Sequence, residues 1–526
     1  MKQSSQKFIV ILLLATVMIL WYYPKSLGGY ALDLTHIKLA GGKEEAYYIA
    51  GDKFLIAGFD IMDRYWSEIA KTGKHLLRGH LDNYLPIALK SLDYQPAEAM
   101  MGLFAESFFS NRNHNTGLIP FSYDSPDQFS KMSTGNKQPV ALVSKGVEIC
   151  QWFPNDLNLL KKCVALAEAT IKYFDFNLES GKKGGMWGWV EVKDGQPKSK
   201  LTLTQDYGAV ANGLAYLSQK TGDPKFIKWA NQKLEFVWDN QMNQHLALLE
   251  EQFTPTKAFI RPEERSSDTD TLYYVRQLFD LHELTGEKKY LDRAMEVTNV
   301  WYDKAWVEQW GHFIRKLNPD GKPAVNQLYG DGKYNTLYIL VQAYRATKDA
   351  KYIQRFKQAW DNLLNMGKDG FVPEYIEQGK MVNKYDLDQQ QTIFLDILVA
   401  AYEASGDKEI LEAAENLGNR ILQRGEKVMR MEGGQAGQAF LRLALARQKI
   451  SRLQVAVGKA GTPMKVTQNG NRVLEVIVPA EVAVVYLPEG IYNLEVGKHG
   501  FSRKKNIRLG GNKNEKFSMV SYDLSK

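Results

Sequence analysis

Carboxylates recur in five stretches of this 526-residue chain, with flat aromatic rings in four and a pair of arginines in the other. The first runs from Asn113-His114-Asn115 through Pro120 to Tyr123-Asp124. The second holds Trp187 and Trp189, then Gln205-Asp206-Tyr207. The third reads Arg261-Pro262-Glu263-Glu264-Arg265, then Asp268-Thr269-Asp270. The fourth is Tyr329-Gly330-Asp331, and the fifth is Pro373-Glu374-Tyr375, followed by Asp386 and Asp388. Breaking a glycosidic bond needs two carboxyl groups across it. One donates a proton, and the other activates water or attacks. Asp270, Asp206, Asp331 and Glu264 are the catalytic candidates on this reading. Sugar rings need flat faces to stack on, which Trp187, Trp189, Tyr329 and Tyr375 offer, with Glu374 beside the last. Arginine forks match a uronate carboxylate, which points to Arg261 and Arg265.

A plainer role competes for several of these residues. Asp206, Asp268, Asp331 and Asp386 stand at helix starts, where Asp caps free amides and offsets the helix dipole. Recurrence does not separate the two roles, because every helix needs a cap. Asp270 is harder to explain this way if Asp268 already caps. Tyr216 and Tyr344 fall within helical stretches and read as core. His114, His245, His282 and His312 read as structural before they read as acid or base.

Composition removes other chemistries. Hydrophobic residues at 44% and charged residues at 24% suit a chain that buries a core. Two cysteines, Cys150 and Cys163, rule out a disulfide-dense scaffold and a four-cysteine zinc site. The eight histidines show no HxxxH or HExxH spacing. No metal or cofactor is implied. Phosphate-binding glycine loops, a GxGxxG turn and a GxSxG elbow are missing.

The elements that position the candidates repeat. Thr221-Gly222-Asp223, Thr285-Gly286-Glu287, Thr347-Lys348-Asp349 and Ser405-Gly406-Asp407 start 64, 62 and 58 residues apart. Phe226, Tyr290, Tyr352 and Ile410 follow the acidic residue by three. Ala230, Ala294, Phe356 and Ala414 come four later, on the same helical face. An apolar helix precedes each turn and an amphipathic one follows. Inner helices are predicted to begin near Pro139, Thr204, Asp268, Asp331, Asp386 and Gln435. Outer helices are predicted near Gln95, Asn155, Pro224, Glu287, Ala350 and Asp407. The period is too long for tetratricopeptide or ankyrin arrays.

Six helical hairpins of this kind resemble the six-hairpin glycosidase-like superfamily over roughly residues 50–448. The resemblance rests on the architecture and the repeated turn pattern. It implies a mainly α fold, an (α/α)6 toroid, with a cavity lined by the long loops and the inner-helix N-termini. The candidate residues lie there.

Both ends depart from the repeat. Lys2 and Lys7 precede an uncharged run from Phe8 to Tyr23, ending in Trp21-Tyr22-Tyr23-Pro24-Lys25. Residues 1–25 read as a signal anchor that sets the protein in the cell membrane with its body on the exported side, or as a signal peptide cleaved near Ser26-Leu27-Gly28. Residues 26–50 read as a linker, and 51–448 as the toroid. Residues 449–526 are β-rich, and Leu487-Pro488-Glu489-Gly490-Ile491-Tyr492 resembles the turn of PEGA-type β-sandwich modules. From residue 451 on there are 12 Lys/Arg and 6 Asp/Glu, nearly all of the net +7 of the chain. Arg503, Lys504, Lys505, Arg508, Lys513 and Lys516 could hold anionic glycan or lipid headgroups, or form an ordinary solvated surface. Nucleic acid does not suit an exported body.

Three functions follow. The first is an anchored glycoside hydrolase acting on a bacterial or uronate-containing polysaccharide through paired carboxylates. The second is a non-catalytic glycan-binding or scaffold protein of an envelope or exopolysaccharide system. The third is a uronate lyase or epimerase, which needs arginine to offset the substrate carboxylate.

Overall fold

The structure is a computed structural model. It describes residues 36–39, 44–72, 84–110, 112–119, 138–178, 181, 183–199, 202–243, 245–249, 252–253, 266–382, 391–424, 435–497, 503–510 and 517–523. Fourteen α-helices lie among the described residues. They are α1 (Lys53–Thr72), α2 (Tyr84–Leu92), α3 (Gln95–Ser110), α4 (Gln138–Trp152) and α5 (Leu157–Phe174). Then follow α6 (Thr204–Thr221), α7 (Pro224–Asn240), α8 (Leu272–Thr285), α9 (Lys288–Lys304) and α10 (Asp331–Thr347). The last are α11 (Ala350–Met366), α12 (Gln391–Ser405), α13 (Lys408–Arg424) and α14 (Gln435–Arg447).

Helices α4, α6, α8, α10, α12 and α14 pack side by side in sequence order, and α5, α7, α9, α11 and α13 each back the inner helix before them. Burial follows from this arrangement. In α12, Phe394, Leu395 and Ile397–Ala401 are all buried, since the helix is covered nearly all round. In α11 only Tyr352, Phe356, Ala359, Trp360 and Leu363 are buried, one stripe at helical spacing. Predicted and observed starts agree within one or two residues for most of these helices. The described part of the fifth inner helix begins at Gln391, and its predicted start at Asp386 lies outside the described residues. Cys150 and Cys163 are disulfide-bonded and tie α4 to α5.

The long helix α1 packs along α14. Its N-terminus is fixed by Asp52, which accepts from the Phe54 and Leu55 amides at 3.0 and 2.8 Å and also meets Gln448 at 2.6 Å. The last inner helix is thereby joined to the first of the described helices.

Residues 36–50 are not the expected linker. They form β1 (His36–Leu39) and β2 (Glu45–Ala50). The C-terminal strands are β3 (Ile450–Ala456), β4 (Thr462–Gln468), β5 (Asn471–Val478), β6 (Val482–Pro488), β7 (Gly490–Val496), β8 (Arg503–Leu509) and β9 (Phe517–Asp523). One sheet has the order β1-β2-β6-β3-β9, the other β5-β4-β7-β8. Alternation along β2 and β6 explains why this sheet is buried on both faces. Ala46, Tyr48, Ala483, Val485 and Leu487 face the second sheet, with Leu474, Tyr492 and Leu494 opposite. Tyr47, Ile49, Val484 and Tyr486 face the helices. There Tyr94 meets Tyr47 and Phe59 edge-on, with both pairs of centroids 5.4 Å apart. In the basic cluster, Lys504 of β8 stands across the ladder from Glu495 of β7, so this pair of strands is not of one sign. Lys513 and Lys516 lie outside the described residues.

The expected membrane location is corrected. Among the described residues no helix is long and apolar enough to cross a membrane. The longest, α1, carries Asp60, Asp63, Arg64, Glu68 and Lys71 along its length. The run 8–23, on which the expectation rested, lies outside the described residues.

Candidate active site

The N-termini of three neighbouring inner helices, α6, α8 and α10, converge on one short turn. Thr269–Thr271 form a single turn of 3-10 helix that leads into α8. Asp268 caps it, accepting from the Asp270 amide at 3.1 Å, while Thr271 Oγ1 donates to the Asp268 carbonyl at 2.7 Å. With Asp268 as the cap, Asp270 is left for another role, as the sequence suggests. The approach of the flanking helices depends on two glycines. A Cβ at Gly208 would lie 2.7 Å from Gln277 Cβ on α8, and one at Gly332 would lie 2.8 Å from Thr269 Oγ1. Side chains there would push the helix ends apart. Asn335 on α10 completes the contact, its Nδ2 donating to the Thr269 carbonyl at 3.3 Å.

An arginine absent from the sequence candidates organises this turn. Arg315 follows the hairpin Trp306–Phe313, and its carbonyl accepts from the Thr269 amide at 3.0 Å. Its Nε donates to Asp268 Oδ2 at 3.3 Å, its Nη2 to Asp270 Oδ2 at 3.1 Å, and its Nη1 to the Tyr329 carbonyl at 3.1 Å. The guanidinium also lies 4.3 Å from the centre of the Tyr329 ring. Burial works against its charge, but the two aspartates outweigh that and hold its pKa above the usual arginine value.

Tyr329 and Tyr375 are directly opposite on paired antiparallel strands, and their rings stack 5.1 Å apart at 8°. Tyr329 is 36% exposed, so part of this stacked ring pair meets solvent near the Arg315–Asp270 pair. Lys333, fully buried in the first turn of α10, donates to the Glu374 carbonyl at 2.6 Å and so secures the strand that carries Tyr375. Backbone bonds make this a continuous ladder. Asp268 pairs with Lys316, the Arg315 amide donates to Gln327, and Tyr329 pairs with Tyr375.

The structure therefore brings together Asp270, Tyr329, Tyr375 and the backbone of Glu374. Asp206 is buried in the first turn of α6, which packs against Thr269–Thr271. Asp331 is the first residue of α10; its side chain is outside the described set. Trp187 packs against Phe176, with centroids 4.3 Å apart, at the base of its loop rather than beside Asp270. Trp189 lies in a short strand paired with Ser199, its side chain also undescribed. Glu264, Arg261 and Arg265 lie outside the described residues. His312 is buried, bonded through Nδ1 to the Phe313 carbonyl and through Nε2 to the Gly379 amide. An amide donor on Nε2 requires neutral imidazole, and burial lowers its pKa to match.

Below the turn the inner helices present polar groups to one another. Tyr273, Arg276 and Asp280 share one face of α8. Arg276 lies 3.7 Å from the Tyr338 ring centre, and Gln342 donates to Asp280 at 3.4 Å. Burial pushes the Asp280 carboxyl up to about 6, with Arg276 opposing. Burial also raises Tyr273 to about 12; Arg276 opposes that, while Glu148, Asp280 and Asp206 add to it.

No family model matches the chain, and no curated protein matches it in sequence. Solved structures do match in fold. A D-mannose isomerase aligns at a TM-score of 0.52 and 11% identity, over 68% of this chain and 98% of that one. A cellobiose 2-epimerase from Bacillus thermoamylovorans aligns at 0.49 and 14%, over 66% and 99%. A family 76 α-mannanase from Bacteroides thetaiotaomicron aligns at 0.43 and 14%, over 66% and 95%. With the six neighbouring inner helices and their outer partners, the match to the isomerase gives the helical body the fold of an (α/α)6 toroid. The likeness of the C-terminal strands to a PEGA-type module is not confirmed.

Proposed function

We propose that the protein is a carbohydrate-active enzyme, a glycoside hydrolase acting on an oligosaccharide or polysaccharide at the α6–α8–α10 end of the toroid. The observation that carries the reading is the part-exposed Tyr329–Tyr375 ring pair set beside Asp270 through Arg315. A stacked aromatic face binds the apolar side of a sugar ring, and an adjacent carboxylate can act on the bond at its edge. Arg315 Nη2 donates to Asp270 Oδ2 and so fixes where this carboxyl group points. Asp206, on the neighbouring helix, is the leading partner carboxyl. Asp331 and Glu264 remain candidates for the same place, and Trp187, Trp189, Arg261, Arg265 and Glu374 for further sugar contacts. A uronate lyase needs an arginine available to the substrate carboxylate, whereas Arg315 is engaged by Asp268 and Asp270.

The fold neighbours include enzymes named for neutral sugars, D-mannose and cellobiose, and an α-mannanase. That supports a carbohydrate substrate without choosing among reactions. The test is to incubate the full-length protein with neutral and uronate-containing glycans, following new reducing ends, unsaturated-uronate absorbance and sugar interconversion by chromatography. New reducing ends alone are expected. Interconversion without cleavage would replace hydrolysis by epimerisation, absorbance would replace it by elimination, and retention on glycan without any product would leave a binding protein.

A further inference from the structure

We infer that Arg315 is a positioning residue that couples the aromatic platform to Asp270, so that occupation of the platform and the geometry of the carboxyl group depend on one side chain. The inference rests on the proposed function for its reaction, but its geometry is independent of it. Four contacts converge on the one guanidinium: Asp268, Asp270, the Tyr329 carbonyl and the Tyr329 ring face. They come from two elements 59 to 61 residues apart in sequence. The donors are set by the planar fork of arginine, which lysine cannot reproduce. The side chain is 15% exposed, so water replaces little of what it provides. A sugar on Tyr329 therefore presses on the same group that orients Asp270 Oδ2.

Removing the fork has two separable consequences. The platform loses the cation behind its ring and the bond that fixes its backbone, which weakens glycan binding. Asp270 loses the donor that fixes Oδ2, so its carboxyl group is no longer held in one orientation and kcat falls.

Two measurements on the full-length protein test this. Glycan binding by calorimetry is compared for wild type, Arg315→Gln, Tyr329→Ala and the double variant. Each single change is expected to weaken binding about tenfold, and the double to add less than threefold to the worse single. Independent, multiplying losses would overturn the coupling. In turnover, Arg315→Gln is expected to lower kcat about tenfold and to raise KM. Arg315→Lys, which keeps the charge but not the fork, is expected to leave KM raised. Wild-type KM in Arg315→Lys would overturn the inference even if Arg315→Gln does not fold. Binding without turnover in the wild type would defeat the hydrolase reading alone, since the binding cycle still decides the coupling. No binding by the wild type to any neutral or uronate glycan would defeat both.

Discussion

Aspartate does two different jobs at the two ends of these helical hairpins. At the turn end, Asp223, Asp349 and Asp407 each cap the next helix, accepting from Lys225, Lys351 and Glu409 amides at 2.9 to 3.0 Å. Their own amides bond the hydroxyl two residues back, Thr221, Thr347 or Ser405. These cap contacts are local and repeat with the hairpin. At the other end, Asp268 and Asp270 are joined to Arg315, 47 and 45 residues away. Nothing there repeats in the neighbouring hairpins among the described residues. Recurrence therefore marks the scaffold. A long sequence gap alone does not mark the site, since Lys225–Glu168, Arg293–Glu235 and Arg424–Asp369 also join residues 55 to 58 apart. What sets the other end apart is one guanidinium shared by two carboxylates of the same turn and by Tyr329.

The sharpest way to break this contrast is Asp270→Asn. It keeps shape and removes the charge. Loss of about 10²–10⁴-fold in kcat is expected, the range for a positioned acid or base, with the melting temperature little changed. Equal activity would make Asp270 another structural aspartate. Gly208→Val should come next in size. Its Cβ would meet Gln277 at 2.7 Å, and overpacking of this kind costs about 1–3 kcal/mol. Thermal unfolding measures the cost. Because the clash parts α6 from α8, turnover should fall by more than the stability loss explains. A stability loss with full turnover would show that the spacing of Asp206 and Asp270 is not used.

The same contrast explains what was legible in the sequence. Hairpins were readable because the turn, the aromatic three residues on and the small residue four beyond that return at a near-constant interval. Asp270 stood out only because Asp268 already supplied a cap. Arg315 was invisible, since its partners are set by a ladder linking residues 267–268, 315–317 and 327–329. A cation near the middle of a hairpin loop carries no local sign of that pairing. Strands β1 and β2 were missed for a related reason. β2 pairs with β6, more than 430 residues later, so Glu45–Ala50 looked like connection rather than sheet. The membrane expectation rested on composition in a segment outside the described residues, and no described helix supplies a span.

A smaller effect separates binding from chemistry at the cleft. Tyr329→Ala should raise KM about tenfold with a lesser change in kcat. Aromatic stacking contributes about 0.5–1.5 kcal/mol, and roughly 1.4 kcal/mol is one decade. A fall in kcat with KM unchanged would move Tyr329 from platform to reaction. At the turn end, Asp349→Ala removes a cap worth about 1 kcal/mol. It should lower the midpoint of denaturant unfolding and leave kcat/KM untouched. Any selective loss of turnover there would blur the division between the two ends.

The smallest effect has the opposite sign and tests how regular the turn end is. Gly222, Gly286 and Gly406 close their helices in the left-handed region at φ 71°, 74° and 70°, and Lys348 takes the same place at φ 58°. A side chain there costs about 1–2 kcal/mol relative to glycine, because Cβ crowds the following carbonyl. Lys348 recovers part of this. Its Nζ donates to the Ala404 carbonyl at 3.3 Å and lies 5.3 Å from the Tyr344 ring centre. Both contacts are exposed, so they offset only a fraction of the strain. Lys348→Gly should therefore stabilise the protein by up to about 1 kcal/mol, after glycine's larger unfolded-state entropy is deducted. Turnover should be unchanged. A destabilised variant would mean that the Lys348–Ala404 bond between adjacent inner helices carries more than the turn, and that even the repeating end of the hairpins depends on a contact made across a long sequence gap.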